Sequence, residues 1–311
     1  MPSLALRARA LGKRYPAGNV ALQDITLDVP AGQVFGLIGR NGAGKTTFVR
    51  IAGTQLTPTS GELQVLGLDV LRETSEIRTR IAAVPQESRP LYFVHVDELI
   101  YLYLRMRGME RAEAHKRTEA ALEEFTLTAV RRRMVNQLSG GMRRRAMVAM
   151  VLASDAELMF LDEPTTGLDP LARREVWAAI RRIESEGRTI VLTTHYLDEA
   201  EALSTRLAVI DAGRVLLQGS PAELRARIRR PYRVTVQGGL PRSELDGFGD
   251  VSAISGGFLV FATESDARDL AMKAMTAGAH VSMGPASLED IFLQVVGRRI
   301  DEDEPALAEA P

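Results

Sequence analysis

The chain has 311 residues, 45% hydrophobic and 25% charged, the proportions of an ordinary globular protein and not of a disordered, collagen-like or low-complexity one. Its 39 basic residues against 40 acidic ones leave a formal net charge of -1, so charge gives no reason to propose nucleic acid or an anionic membrane surface as the main partner. Cysteine is absent, which excludes a disulfide framework, a Cys-ligated zinc site and a thiol nucleophile.

The first residues hold no apolar stretch of signal-peptide length, and no run of about 18 apolar residues that would span a bilayer occurs anywhere. A role at a membrane therefore needs another chain for the spanning part. Val34 to Ile38 is a short continuous apolar run, the pattern of a strand buried on both faces of a parallel sheet. It leads into Gly39-Arg-Asn41-Gly42-Ala43-Gly44-Lys45-Thr46-Thr47, which fits G-x-x-x-x-G-K-S/T. The glycines let successive N–H groups turn inward as an anion nest, and the helix predicted after Thr46 adds the positive end of its dipole. Lys45 is placed to reach the β- and γ-phosphates of a nucleotide, and the Thr46 hydroxyl to bind Mg²⁺.

Residues from about Leu91 to Met150 read mainly as helix, with Leu99, Leu102, Tyr103 and Met106 at helical spacing and Glu113 to Phe125 in the same style. A helical block between strands predicts a subdomain on one edge of an α/β sheet. Leu91, Tyr92, Phe93, Tyr101 and Tyr103 read residue by residue as its core, and Arg131–Arg133 and Arg143–Arg145 as solvated faces. Within the block, Ser139-Gly140-Gly141 precedes a helical pattern from Met142 to Leu152, and so makes a second phosphate-binding helix N-terminus.

Leu158 to Leu161 is another buried strand and ends in Asp162-Glu163. Ligands of open α/β sheets bind at that edge. Asp162 suits the Mg²⁺ shell, and Glu163 suits a water attacking the γ-phosphate. Such an acid pair by itself reads more often as a helix cap or turn; the phosphate loop upstream gives it the catalytic reading. A helix over Arg173 to Glu184 and a strand over Thr189 to Thr193 follow, and then His195, whose neutral imidazole could bond the γ-phosphate or the water. His95, His115 and His280 are scattered, without metal-ligand spacing, and read as structural.

Strands alternating with helices predict a layered α/β fold with right-handed crossovers. After the helix Ala222 to Arg229, Arg230-Pro231 marks a boundary. Strands at Arg233 to Gln237 and Phe258 to Phe261, a helix at Asp266 to Ala277, and a capping box at Ser287-Leu-Glu-Asp290 opening a last helix through Val296 predict a small α+β domain. The acidic stretch from Asp301 reads as a disordered tail.

Leu138-Ser139-Gly140-Gly141-Met142 resembles the LSGGQ signature of ATP-binding-cassette (ABC) ATPases, and the resemblance covers roughly residues 4–222 with the motif series in order. It implies a P-loop NTPase of ABC type: a mainly parallel sheet with an inserted helical subdomain at about 88–150, a small accessory domain at 223–297 and a tail at 298–311. It implies that Tyr15 is the aromatic residue stacking on adenine, that residues 39–47 cradle the phosphates, and that Gln86 reaches Mg²⁺ and the water. Thr46, Gln86 and Asp162 become the metal set, Glu163 the catalytic glutamate and His195 the switch histidine. Thr166 to Asp169 resembles the D-loop, and Asp169 joins Ser139, Gly140 and Gly141 among the nucleotide contacts.

In that family the signature caps the ATP of the opposite subunit, which implies a head-to-tail dimer around two ATP. The family's coupling partner is a polytopic permease on a separate chain, holding the ATPase at the cytoplasmic face of the membrane. Met142 in place of Gln, Thr166-Gly167 in place of Ser-Ala, the segment Thr194 to Glu201 and the terminal Leu288 to Leu293 are similar to the daunorubicin-resistance type of bacterial exporter ATPase, implying drug or lipid-like cargo. An importer ATPase, or a soluble ABC ATPase working on ribosomes or nucleic acid, remain the alternatives.

Overall fold

The unbroken apolar runs at 34–38, 158–161 and 189–193 form adjacent strands that are buried along their whole length. The computed structural model describes residues 3–84, 91 and 93–296, and the chain divides into two units, Met1–Gln218 and Gly219–Pro311.

The first unit opens with two long strands, β1 (Leu4–Arg14) and β2 (Val20–Pro30), followed by β3 (Val34–Ile38), α1 (Lys45–Ala52), β4 (Ser60–Val65), β5 (Leu68–Asp69), α2 (Thr74–Arg80) and β6 (Ile81–Val84). The helical block comprises α3 (Val96–Met106), α4 (Arg111–Glu124) and α5 (Gly140–Leu152). The chain then returns through β7 (Leu158–Asp162), α6 (Pro170–Ser185), β8 (Thr189–Thr194), α7 (Leu197–Leu203), β9 (Arg206–Asp211) and β10 (Arg214–Gly219).

A six-stranded sheet in the order β10-β9-β3-β8-β7-β6 is parallel from β9 through β6. The period of two along these strands sends alternate side chains to opposite faces. Phe35, Leu37, Phe160 and Val191 pack with Phe48 and Ile51 of α1 and with Leu6 and Leu27 of a second sheet. Val34, Met159, Leu161, Ile190 and Leu192 face the other way, onto Val148 and Val151 of α5 and Val176 and Ile180 of α6. The second sheet, β2-β1-β4-β5, is antiparallel and has no counterpart among the predicted elements.

In the helical block the buried stripe of α3 is Val96, Leu99, Ile100 and Leu104. Leu102 and Met106, read as part of the apolar face, point outward instead. Leu91 and Phe93 are exposed as well, 55% and 83%, against the expectation that they form core. Tyr101 and Tyr103 do pack on the core as expected; Tyr92 lies outside the described residues.

The second unit starts with α8 (Pro221–Arg227), β11 (Tyr232–Gln237), β12 (Asp250–Ile254) and β13 (Gly257–Ala262), and continues with α9 (Glu264–Thr276), β14 (His280–Pro285) and α10 (Leu288–Val296). Its antiparallel sheet has the order β12-β13-β11-β14, and Val234, Val236 and Val260 pack with Ala267, Leu270 and Ala274 of α9. The expected capping box is present: the Ser287 hydroxyl accepts from the Asp290 N–H, and the Asp290 carboxylate accepts from the Ser287 N–H. The tail from residue 298 lies outside the described residues.

Candidate active site

The carboxyl ends of β3, β8 and β7 lie side by side, so one edge of the sheet receives the phosphate loop, His195 and the Asp162-Glu163 pair. The loop turns through Gly42 and Gly44 at φ 77° and 109°, a region that strains any residue with a Cβ. A Cβ at Gly44 would stand 2.6 Å from the Ala21 carbonyl oxygen, and one at Gly39 2.1 Å from that of Ile210. Gly44 is the N-cap of α1 without a side-chain cap, and the first turn carries no acidic residue. The N–H groups of such a turn make a seat for an anion.

Lys45 is buried, and its Nζ donates to the carbonyls of Gly39 at 2.6 Å and Arg40 at 3.0 Å. Burial pushes its pKa below the ordinary ammonium value, against the opposing pull of Glu163 and Asp162. A buried cation bonded to neutral carbonyls, at a helix N-terminus, is a seat for phosphate.

Asp162 closes β7 opposite Thr193 of β8. Its Oδ1 accepts from the Thr193 hydroxyl and from the Thr46 hydroxyl at 3.4 Å. A carboxylate and a hydroxyl meeting at the phosphate loop are hard oxygen donors, and this donor set fits Mg²⁺.

Glu163 has φ 51°, a left-handed backbone that is uncommon outside glycine. Its N–H donates to the Thr193 carbonyl at 3.1 Å and to the Thr193 hydroxyl at 3.0 Å, which pins the turn. The carboxylate then faces His195, with Oε1 3.2 Å from Nδ1, an ion-pair distance without the alignment of a hydrogen bond. Thr166 donates its hydroxyl to Oε2 at 3.3 Å. Burial pushes the Glu163 carboxyl up, but His195, Lys45 and Thr166 together outweigh it and hold it below the usual carboxylate value. At neutral pH it is therefore ionised and able to accept a proton.

Tyr15 brings its hydroxyl to 3.4 Å from that of Thr47, and Tyr15, Asn41, Ala43, Thr47 and Glu163 line one cleft of about 300 Å³. A larger cavity of about 670 Å³, lined by Glu124 and Arg182 among others, holds none of the predicted site residues. Ser139, Gly140 and Gly141 also stand outside the cleft. Ser139 caps α5 by accepting from the Met142 N–H at 3.2 Å, again with no acid in the first turn. A Cβ at Gly140 would meet open space, whereas one at Gly141 would come to 3.1 Å from the Gly167 carbonyl oxygen. Asp169 caps α6, accepting from the N–H groups of Leu171 and Ala172 at 3.0 Å each. Gln86 lies outside the described residues.

Two participants were missed in the sequence. Thr193 became visible only through the register of β7 and β8. Arg144 was read as part of a solvated face, but it is half-buried and donates to the carbonyls of Asp162 and Glu163. Its neighbour Arg145 pairs with Glu175 at 2.8 Å and is half-buried as well, whereas Arg131 pairs with Glu119 in a solvated ion pair, as expected. Among the histidines read as structural, His95 pairs with Glu98 at the start of α3 and His115 stacks on Tyr101.

The family model for the ABC transporter matches residues 22–166. The daunorubicin resistance ATP-binding protein DrrA3 of Streptomyces coeruleorubidus is 42% identical over 226 residues, covering 73% of this chain and 71% of that protein. The Nod factor export ATP-binding protein I of Cupriavidus metallidurans is 37% identical over 298 residues, 95% of this chain and 98% of its own. Among solved structures, an ATP-binding subunit of an ABC transporter superposes with a TM-score of 0.67 at 27% identity, covering 72% of this chain and 92% of its own. A dimeric ATP-binding cassette in a post-hydrolysis state with ADP and Pi gives 0.65 at 25% identity, covering 69% and 98%.

Proposed function

The chain belongs to the ABC transporter family and is an ATPase; on that premise we propose that it is the ATP-hydrolysing subunit of an exporter, closing head to tail with a second copy around two ATP and driving a separately encoded permease. In this reading Tyr15 stacks on adenine, residues 39–47 with Lys45 hold the phosphates, and Thr46 and Asp162, with Gln86, hold Mg²⁺. The ion supplies neutralisation of phosphate charge. Glu163 takes a proton from the attacking water as its oxygen bonds to the γ-phosphorus and the bond to the ADP oxygen breaks. The one ring N–H of a neutral His195 donates either through Nδ1 to that carboxylate or through Nε2 to the γ-phosphate.

The observation that carries the reading is a helix N-terminus of phosphate-binding type, at Ser139 and Gly140, exposed and outside the cleft of its own chain. A phosphate bound there belongs to another copy, whose cleft in turn receives Ser139, Gly140, Gly141 and Asp169.

Relatives named for daunorubicin resistance and Nod factor export favour outward transport of a drug or lipid-like molecule. The exposed apolar residues Leu91, Phe93, Leu102 and Met106 on the helical block suit a permease contact. Among the described residues no helix is long and apolar enough to cross a membrane; the permease would hold the subunit at the cytoplasmic face. The second unit then serves as an accessory domain.

The test is purification of tagged Glu163→Gln protein from gently solubilised host membranes with ATP and Mg²⁺. A polytopic membrane protein in about equal amount is expected. Ribosomal or DNA-bound partners in its place would contradict the transporter reading.

A further inference from the structure

Glu199 lies in the first turn of α7, four residues beyond His195, and is fully buried. Its Oε1 accepts from the Thr165 hydroxyl at 2.7 Å and from the Trp177 indole N–H at 3.0 Å. Its Oε2 is buried with no hydrogen-bond partner among the described residues. Thr165 sits two residues past Glu163, in the turn entering α6, and Trp177 is on α6 itself. Thr194 directly precedes His195, and its hydroxyl accepts from the Tyr196 N–H at 2.9 Å.

One carboxyl, on the helix that follows the His195 corner, thus meets the turn that carries Glu163 and the helix after it. Burying a carboxyl with one oxygen unmatched destabilises a fold, and an amide or aliphatic side chain of similar shape would avoid that penalty. Burial also pushes the Glu199 carboxyl above its ordinary value, against its hydrogen bonds to Thr165 and Trp177. Its position beside the Glu163–His195 pair is what the penalty is spent on.

We infer that Glu199 is a positioning residue for hydrolysis: through Thr165 it ties the Glu163 turn to α7, the helix that follows the His195 corner, and holds that pair at its 3.2 Å separation. The inference rests on the roles proposed above for Glu163 and His195. Without the tie the two backbone segments relax independently, and a misplacement of about 1 Å at a reacting group lowers a rate about 100-fold.

Trp177 is the single tryptophan of the chain, and it bonds Glu199 directly, so its emission reads the placement of the Glu199 carboxyl without any turnover. The experiment measures kcat, KM for ATP and Trp177 emission in the wild type, Glu199→Gln, Glu199→Leu and Thr165→Val. Gln keeps an acceptor oxygen and is expected to hold kcat within about threefold; Leu is expected to lower kcat about 10- to 100-fold with KM within about twofold, and to shift the emission. Thr165→Val removes one hydroxyl, lowers kcat in the same sense and leaves the emission in place; it decides the matter if Glu199→Leu does not fold. Wild-type kcat in Leu or Val, or a loss that Gln fails to rescue, overturns the inference. Glu163→Gln is assayed alongside: wild-type turnover there removes the proposed catalytic roles, while the emission of Leu against Gln still reports whether the Glu199 side chain holds Trp177 of α6.

Discussion

Two helices of the first unit, α1 and α5, begin in the same manner, with a glycine-rich turn and no acidic residue in the first turn. Their surroundings differ. At α1 the cation Lys45 is buried, two carboxylates and a histidine stand close by, and a cleft of about 300 Å³ lies open in front. At α5 Ser139 caps its own helix, Gly140 faces open space, and that cleft lies elsewhere. On the proposed function, the same backbone chemistry builds one end as a finished half of a site and leaves the other to be completed by a second copy. The difference teaches that a phosphate-binding helix terminus becomes a site only through what the rest of the fold places opposite it.

The largest separation between the two ends is expected at the α1 side. Glu163→Gln keeps the shape of the side chain and removes the proton acceptor. Turnover should fall about 100- to 10,000-fold while ATP still binds, measured by phosphate release and by nucleotide titration. Lys45→Ala should act on binding itself, weakening ATP about 10- to 100-fold, since it removes a charged hydrogen-bond donor from the phosphate seat. Equal ATP affinity in wild type and Lys45→Ala would remove α1 as the finished half.

Stability distinguishes the two ends on a smaller scale. Gly44→Ala forces a Cβ into φ 109° and to 2.6 Å from a carbonyl oxygen, and should destabilise the fold by about 1–3 kcal/mol in denaturant melts. Gly140→Ala meets no atom within 4 Å and should stabilise by about 0.5 kcal/mol, because alanine loses less backbone freedom on folding. Equal effects at the two glycines would show that the α1 turn is not held by its neighbours.

Much of the α1 end was legible in the sequence. A strand buried on both faces reads as an unbroken apolar run, and such runs place Gly39, Asp162 and His195 at one sheet edge. What pairs across strands was not legible: Thr193 meets Asp162 through a register that no local pattern encodes. The long strands β1 and β2 escaped because bulges and left-handed residues at Ala10 and Asp24 interrupt their alternation. On α3 the apolar residues wrap around more of the helix than its buried face needs, so Leu102 and Met106 look like core and are not. In the second unit, β12 and β14 are mostly exposed, and Ser252, Ser282 and Gly284 break up the few apolar residues that would mark a strand. Arg144 shows the same limit at the α5 end, since three consecutive arginines do not reveal which one turns inward.

The central claim is that each cleft is completed by the α5 terminus of a second copy, and mixing two inactive chains tests it most directly. Lys45→Ala keeps its α5 terminus but loses its phosphate seat. Gly140→Asp keeps the phosphate seat and places a carboxylate, in open space, where the second copy's phosphate would sit. Each variant alone should be nearly inactive. Their equimolar mixture should recover about a quarter of the wild-type ATPase rate, because half of random dimers are mixed and each holds one intact site. A mixture no more active than the two variants measured apart, with ATP binding retained by Gly140→Asp, would contradict the shared site.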